Sequence, residues 1–345
     1  KGFTLMIKRF FISLMVFIQS IAWASPSPQK SYADQDAWKK LQQRMPETYQ
    51  LSENELPQEY FWPWKDNQVH VDFYPRPESK AKVILLHGVG TNGRQMSLVL
   101  GHPLAQAGYE TLSLDLPGYG LTQYPAKSKI VYQDWIQLVN DFVDAEAKKD
   151  ERPIFLYGLS AGGMLTLHVA MQNKNIKGII GMTFLDQQDL DVKKGTMRFS
   201  PLSPLLLPGM QITAKTPFGG IPLSMSLVSK MSKLTNDPQA LKIMLKDRTS
   251  AGNTMSIKFL NSYMNYKPPY HVSSFVQCPV LLTQPAEDHW TPLSLSQEVL
   301  KRLSVPHEVV MLPKGGHYPV EKEALDQLKI SSIEFIEKNL AANID

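Results

Sequence analysis

The chain has 345 residues, of which 43% are hydrophobic and 20% charged, and this composition excludes a disordered chain, a collagen-like repeat and a small disulfide scaffold. Part of its formal net charge of +4 comes from the first 24 residues, which contain Lys1, Lys8 and Arg9 but no acid. The remaining residues are almost balanced in charge. We therefore expect no nucleic-acid partner, since phosphate binding needs clustered Lys and Arg on one face.

Residues 1–24 have the pattern of a secretory signal peptide. Two basic residues precede an apolar run over residues 10–22, and residues 22–24, Ala-Trp-Ala, form a small-residue cleavage site. The run is shorter than the ~20 residues needed to cross a bilayer, so cleavage is favoured over a membrane anchor. We expect a secreted or periplasmic protein. Cys278 is the only cysteine, so no disulfide can form within the chain.

After a polar lead-in over residues 25–68, short apolar runs alternate with amphipathic stretches. Apolar runs of about four to eight residues separated by helices predict an α/β fold, with a mostly parallel central sheet and helices on both faces. The predicted strands are residues 69–74, 82–86, 110–114, 153–157, 176–184, 279–283 and 307–312. We assign residues 69–186 and 277–345 to this core.

Residues 187–276 break the alternation of strands and helices, and we expect them to form an inserted, mainly helical cap over the strand ends. Within them, residues 201–229 contain Lys215 as their only charged residue and are rich in Leu, Met and Pro. Such a segment either packs against the core or faces an apolar ligand, and flexible methionines suit acyl chains of varied shape. Basic residues between positions 230 and 248 suggest transient contact of the cap with anionic lipid headgroups at a membrane surface.

A glycine-rich loop over residues 87–93, His-Gly-Val-Gly-Thr-Asn-Gly, has two interpretations. It fits the G-x-G-x-x-G dinucleotide fingerprint, and Asp115 ends the next strand where a ribose-binding acid would stand. However, a strand already precedes the loop, and Asp115 is followed by a Leu-Pro-Gly-Tyr-Gly turn that does not suit a ribose. The rest of the chain also supplies a different chemistry, for which we expect no cofactor and no metal.

Ser160 lies in residues 158–162, Gly-Leu-Ser-Ala-Gly, which fit the pattern G-x-S-x-G. This pattern alone is also typical of a glycine-rich packing turn. Here an apolar strand comes directly before it and a helical stretch directly after it. On so sharp a turn the serine backbone is strained and its hydroxyl is exposed at the helix N-terminus, so we predict that Ser160 is a nucleophile.

A serine hydroxyl becomes an effective nucleophile when a base takes its proton. His317 is the best candidate for that base, because it follows the last predicted strand after two glycines that let the loop turn back across the sheet edge. We expect Asp288 to orient the imidazole, with Asp186 and Glu287 as alternatives. Ser160, Asp288 and His317 each follow a separate strand, where an open α/β sheet binds its ligand.

Together these motifs resemble the α/β-hydrolase family, and within it the branch of monoacylglycerol lipases, lysophospholipases and prolyl aminopeptidases. The resemblance implies a serine hydrolase that cleaves carboxylic esters of apolar acyl chains, a small-molecule ester or lipid substrate. It also implies an oxyanion hole formed by the main-chain N–H groups of Val89 and Ala161.

Two alternatives stay open. A peptidase acting on N-terminal residues would need an acidic anchor for the substrate amine, and Asp186, Asp189 and Asp191 are candidates for it. A non-catalytic ligand-binding relative is the second alternative.

Overall fold

The computed structural model describes residues 31–198 and 203–341. The predicted signal peptide, residues 1–24, lies outside these ranges, so its cleavage and the export of the protein stay predictions. Within the described ranges, no helix is both long and apolar enough to cross a membrane.

A mostly parallel sheet lies at the centre of the fold. The strands of the described ranges are β1 (Gln58–Trp64), β2 (Asn67–Tyr74), β3 (Lys82–Leu86), β4 (Glu110–Leu114), β5 (Ile154–Leu159), β6 (Ile176–Met182), β7 (Pro222–Ser224), β8 (Thr254–Ser256), β9 (Val280–Pro285) and β10 (His307–Leu312). Eight of them form one sheet in the order β1-β2-β4-β3-β5-β6-β9-β10. The β1–β2 and β2–β4 pairs are antiparallel and the other neighbours in this sheet are parallel.

The burial of the central strands explains why their sequences are continuously apolar. Every residue of β3 and of β5 is buried, as expected for parallel strands that are covered on both faces. By contrast, β10 lies at the edge of the sheet and is largely exposed. The predicted fold class is confirmed.

Strand β1 corrects the sequence analysis, which treated residues 25–68 as a lead-in without a strand. This strand pairs with β2 from Gln58 to Trp64 and forms the outer edge of the sheet. Its residues are mostly half-buried and include Pro63, so the segment lacks the fully apolar run by which the other strands were recognised. Proline is tolerated here because an edge strand leaves one row of N–H groups unpaired.

Helices surround the sheet. In the described ranges they are α1 (Asp36–Gln42), α2 (Gly93–Met96), α3 (His102–Gln106), α4 (Tyr132–Ala147), α5 (Ala161–Ala170), α6 (Leu190–Thr196), α7 (Ser203–Ala214), α8 (Met225–Val228), α9 (Pro238–Lys246), α10 (Ile257–Met264), α11 (Leu293–Leu300) and α12 (Lys322–Ala341). A π-helical segment, Ser97–Gly101, joins α2 to α3. Helix α5 packs against β5 and β6, and α12 packs against β9 and β10.

The insertion between β6 and β9 is mainly helical, as predicted. It contains α6 to α10 and a small antiparallel sheet formed by β7 and β8. Helix α7 contacts α10, and α10 in turn contacts α4 of the core. Helix α10 therefore links the cap to the core.

A buried charge cluster holds the N-terminal part of the sheet together. Arg94 is 1% exposed and donates hydrogen bonds to both carboxylate oxygens of Asp72, at 2.6 and 2.9 Å, and to Glu59 at 2.9 Å. His70 lies 3.0 Å from a carboxylate oxygen of Glu59 and 3.0 Å from one of Asp115. The cluster links β1, β2 and α2 to the end of β4.

Candidate active site

Ser160 lies on the turn between β5 and α5. Its φ of 58° and ψ of −120° place a non-glycine residue at positive φ, where the backbone is strained. The main-chain N–H of Ser160 donates to the carbonyl of Met182 in β6 at 2.8 Å, and its own carbonyl accepts from Gly163 at 2.9 Å. The neighbouring strand thus holds the serine in the strained turn that the G-x-S-x-G pattern predicts.

Two glycines allow the backbone to approach this turn closely. A β-carbon on Gly163 would lie 2.0 Å from the carbonyl oxygen of Thr183. A β-carbon on Gly88 would lie 2.6 Å from the carbonyl oxygen of Leu159, so the glycine-rich loop packs directly on the serine turn. Any larger residue at either position would push the loop or β6 away from the nucleophile.

His317 and Asp288 form a buried hydrogen-bonded pair. His317 Nδ1 lies 2.8 Å from Asp288 Oδ2, and both side chains are 1% exposed. With the proton on Nδ1, the lone pair of the imidazole is on Nε2. That atom is buried and has no hydrogen-bond partner among the described residues.

The Asp288 carboxylate is held in its charged form. Burial raises the pKa of Asp288, but the charge and hydrogen bond of His317, together with hydrogen bonds from Thr291, outweigh burial and leave the pKa below its ordinary value. The main-chain N–H groups of Trp290 and Thr291 both donate to Asp288 Oδ1, at 2.9 and 2.8 Å. An ionised carboxylate in this position can stabilise an imidazolium on His317.

Sequence reasoning missed two residues that hold the imidazole. The Thr291 hydroxyl donates to Asp288 Oδ2 at 2.7 Å and lies 3.0 Å from His317 Nδ1. The indole ring of Trp290 packs on the imidazole of His317 with ring centroids 4.7 Å apart. Their positions after an aspartate at a strand end were the only signal in the sequence.

The two alternative acids lie elsewhere. Asp186 Oδ2 accepts a hydrogen bond from Arg302 at 3.1 Å. Glu287 is exposed, whereas the adjacent Asp288 is buried. Of these three acids, the structure brings Asp288 into contact with His317.

Ser160 and His317 lie at the same cavity, Ser160 in its wall and His317 behind Trp290, which is also in the wall. Ser160 is 6% exposed and lines this cavity together with Trp290, whose ring contacts His317. No hydrogen bond joins the serine hydroxyl to His317 Nε2 among the described residues. Such bonds are often formed only when substrate is bound.

Val89 and Ala161 lie in the same wall as Ser160. Ala161 is the first residue of α5, so its N–H has no partner within the helix. Val89 follows Gly88 in the loop that packs on the serine turn. Both residues thus lie beside Ser160 at the cavity wall.

Asp115 does not have the environment of a ribose-binding acid. Its carboxylate is completely buried and accepts hydrogen bonds from the main-chain N–H of Gly93 at 2.7 Å, that of Leu121 at 2.8 Å and the hydroxyl of Tyr32 at 3.0 Å. Burial raises the pKa of Asp115, but the hydrogen bond and charge of His70 lower it by a larger amount, so the pKa lies below its ordinary value. The dinucleotide interpretation of the glycine-rich loop is therefore wrong, because protein groups already donate to the carboxylate oxygens that a ribose would need.

The buried charge cluster contains residue types that could bind a metal ion. Glu59, His70 and Asp72 each bring one ligand atom within 4.8 Å of the others. Arg94 already forms ion pairs with both carboxylates, at 2.9 and 2.6 Å. A cation would have to compete with this guanidinium, so we interpret the cluster as structural.

The cavity at Ser160 has a volume of about 520 Å³ and an apolar wall. Leu185 contributes from the core side, and the cap contributes most of the rest. The cap residues with apolar side chains in the wall are Met197, Leu207, Met210, Leu223, Met225, Leu227, Val228, Ile257, Leu260 and Met264. Among the described lining residues, none has a charged side chain.

The sheet order, the strained serine turn and the capped cavity at the strand ends together define an α/β-hydrolase. The chain belongs to the family described as "Serine aminopeptidase, S33" (Hydrolase_4), whose model matches residues 77–322.

Two of the relatives that match in sequence are monoacylglycerol lipases. The monoglyceride lipase of Saccharomyces cerevisiae is 30% identical over 173 residues, which are 47% of this chain and 51% of the yeast enzyme, so the match spans about half the length of that relative. The thermostable monoacylglycerol lipase of Bacillus sp. (strain H-257) is 25% identical over 258 residues, which are 74% of this chain and 90% of the relative.

Solved structures show the same fold. A soluble variant of the S. cerevisiae monoglyceride lipase, in complex with a substrate analog, superposes with a TM-score of 0.70 at 18% identity, over 86% of this chain and 98% of the other. The monoacylglycerol lipase of Paleococcus ferrophilus gives a TM-score of 0.59 at 18% identity, over 79% and 99%.

Proposed function

We propose that this chain hydrolyses carboxylic esters of apolar acyl chains, with monoacylglycerols as the substrate class, through Ser160, His317 and Asp288. The observation that carries the proposal is the buried pair of Asp288 and His317, whose Nε2 has no partner in the described part of the chain, next to the cavity that Ser160 lines. Monoglyceride lipases among the relatives support the substrate class.

In the first half of the reaction, Ser160 Oγ attacks the ester carbonyl carbon and its proton passes to His317 Nε2. The carbonyl oxygen becomes an oxyanion that accepts hydrogen bonds from Val89 and Ala161, each worth roughly a hundredfold or more in rate. Asp288 stabilises the imidazolium. The intermediate then collapses, and the alcohol leaves with the proton from His317.

In the second half, water replaces the alcohol. His317 Nε2 takes a proton from the water as its oxygen attacks the acyl carbon bound to Ser160. Collapse of this second intermediate releases the carboxylic acid and returns the proton to Ser160 Oγ. No cofactor takes part in either half.

The cavity favours an acyl chain over a peptide amine. An α-amine needs an acidic partner, and no described lining residue is charged. Asp186 is paired with Arg302, Asp189 accepts from a main-chain N–H at the start of α6, and Asp191 is exposed. The three acids that are candidates for the anchor in the peptidase alternative are thus all outside the cavity wall.

The first part of the cap supports a further proposal, transient contact with a lipid surface. Large apolar side chains there are between 44% and 69% exposed: Leu190, Ile212, Phe218, Ile221 and Leu227. The same segments contribute to the cavity wall, so a lipid surface in contact with them would deliver acyl chains close to the site. Cleavage of residues 1–24, which we also propose, would place the protein outside the cytoplasm.

Active-site labelling tests the triad. An alkyl fluorophosphonate should label the wild type and the control variant Ser226→Ala, but not Ser160→Ala, and His317→Gln should slow labelling strongly. Hydrolysis of 1-monooleoylglycerol and of proline p-nitroanilide should then be compared. Faster turnover of the anilide would favour the peptidase, and a folded wild type that neither labels nor hydrolyses would favour a non-catalytic relative.

A further inference from the structure

The polar side chains in the cavity wall differ in whether their hydrogen-bonding groups are already used. The hydroxyl groups of Thr196, Thr213 and Ser229 each donate to the main-chain carbonyl four residues earlier, at 2.9, 2.8 and 2.7 Å. Their donors are therefore occupied and unavailable to a ligand. The indole N–H of Trp290 also has a partner, the carbonyl of Thr196 at 3.4 Å. Apart from Ser160, the polar side chains of the described wall that can still form a hydrogen bond through a free donor or acceptor are therefore Gln187 and Tyr263.

Gln187 is 6% exposed, and its Oε1 is buried without a hydrogen-bond partner among the described residues. Its Nε2 donates to the hydroxyl oxygen of Tyr263 at 3.3 Å, which leaves the O–H of Tyr263 able to donate. Rotating the amide by 180° would exchange donor and acceptor but would still leave one end unused. An unpaired buried amide is unfavourable, so a ligand group that pairs with it gains affinity.

We propose that Gln187 and Tyr263 form a polar subsite that binds the free hydroxyl groups of the alcohol portion of the ester. A substrate hydroxyl there would donate to Gln187 Oε1 and accept from Tyr263. This inference rests on the proposed function, in which the acyl chain is apolar and the hydroxyl groups belong to the alcohol. The subsite thus assigns selectivity for esters of polyols, such as glycerol, over esters of simple alcohols.

The pair is held in place by the core. Gln187 lies five residues after the end of β6, and both Gln187 and Leu185 line the cavity with Ser160. The ring of Tyr263 packs on Tyr132 with centroids 5.0 Å apart, and the Tyr132 hydroxyl lies 3.0 Å from Nδ1 of the buried His168. A subsite fixed in this way needs little reorganisation when substrate binds.

The test compares kcat/KM for two esters of one acid, 1-monooleoylglycerol and methyl oleate, in Gln187→Leu and Tyr263→Phe. We expect the wild type to prefer the monoacylglycerol by at least about 10-fold. Each variant should lose about 10-fold on the monoacylglycerol and change less than about twofold on methyl oleate. The control Thr213→Val removes a lining hydroxyl that is already paired, and should leave the ratio unchanged.

Equal losses on both esters, or a wild type without preference, would overturn the subsite. A second ester pair, methyl 12-hydroxystearate and methyl stearate, locates the hydroxyl. A preference for the hydroxylated acid that the variants abolish would assign Gln187 and Tyr263 to the acyl portion instead. Fluorophosphonate labelling reports whether each variant retains a folded site. A wild type that hydrolyses neither ester would instead contradict the proposed function itself.

Discussion

The hydroxyl of Thr291 contacts both partners of the acid–base pair, 2.7 Å from Asp288 Oδ2 and 3.0 Å from His317 Nδ1. We therefore expect it to be a positioning residue that fixes the distance between carboxylate and imidazole. Thr291→Val keeps the shape and removes the hydrogen bond, and we expect kcat to fall roughly 10-fold with KM little changed. Thr291→Ser should keep most of the activity. Equal activity in Val and Ser variants would contradict this role.

We expect substitution of Asp288 to lower kcat far more than substitution of the adjacent Glu287. In the proposed mechanism, Asp288→Asn removes the charge that stabilises the imidazolium and favours the wrong tautomer of His317, so we expect kcat to fall by about 10⁴, the magnitude known for such triads. Glu287→Gln is the matched control, because Glu287 is exposed and one residue away. Steady-state hydrolysis of 1-monooleoylglycerol measures both. A larger loss for Glu287→Gln would reverse the assignment of the acid.

Much of the fold was predictable because it depends on local patterns. Seven of the eight strands in the central sheet overlap strands predicted from short apolar runs, and Ser160 lies in a five-residue motif between a strand and a helix. The edge strand β1 lacks such a run and was missed. Exposure alone does not decide this, because the other edge strand, β10, is largely exposed and was still predicted from its Val-Val-Met-Leu run.

The rest of the site depends on contacts between distant parts of the chain. Thr291 lies 26 residues from His317, and Gln187 lies 76 residues from Tyr263. The choice between Asp288 and Glu287 depends on which side chain the loop turns inward, and no pattern in the sequence encodes that direction. Such pairings become visible only when the loops at the strand ends are placed in space.

The close packing of Gly163 against β6 makes it sensitive to a single added methyl group. Because a β-carbon would lie 2.0 Å from the Thr183 carbonyl oxygen, we expect Gly163→Ala to lower the free energy of unfolding by about 1–3 kcal/mol and to reduce kcat. Gly209→Ala in α7 is the control, since a β-carbon there has no neighbour within 4 Å and alanine favours a helix. Urea unfolding compares the two. Equal stability of both variants would contradict this prediction and would show that the backbone at Thr183 can move away from the added methyl group at little cost.

The exposed apolar residues of the cap predict lipid binding that depends on them. In Ile212→Ser with Phe218→Ser, affinity for vesicles of phosphatidylcholine and phosphatidylglycerol should fall at least about 10-fold, because two large apolar side chains no longer enter the lipid. Ile330→Ser removes a similarly exposed residue from α12 and should bind as the wild type does. Cosedimentation measures binding, and p-nitrophenyl butyrate hydrolysis checks the site. Equal losses in the cap variant and the α12 variant would indicate nonspecific adsorption.

The buried charge cluster predicts that stability depends on pH through His70. Burial lowers the pKa of His70, but its hydrogen bonds to Asp115 and Glu59 and the surrounding negative charge outweigh burial and raise the pKa from 6.5 to about 10. A raised pKa means that the stabilisation is fully present below pH 6.5 and is lost as pH rises towards 10.

We therefore expect the difference in unfolding free energy between wild type and His70→Asn to shrink between pH 7 and pH 10, by an amount on the order of a few kcal/mol. Burial lowers the pKa of Lys127 to about 8, so the titration of Lys127 raises stability over the same pH range. This contribution is present in both proteins and cancels in the difference. His102→Asn is the control, since burial lowers the pKa of His102 and its titration is nearly complete in both states soon above pH 7, so it contributes little up to pH 10. A constant difference for His70→Asn across this range would mean that His70 is neutral in the cluster and that the Arg94 guanidinium alone balances its carboxylates.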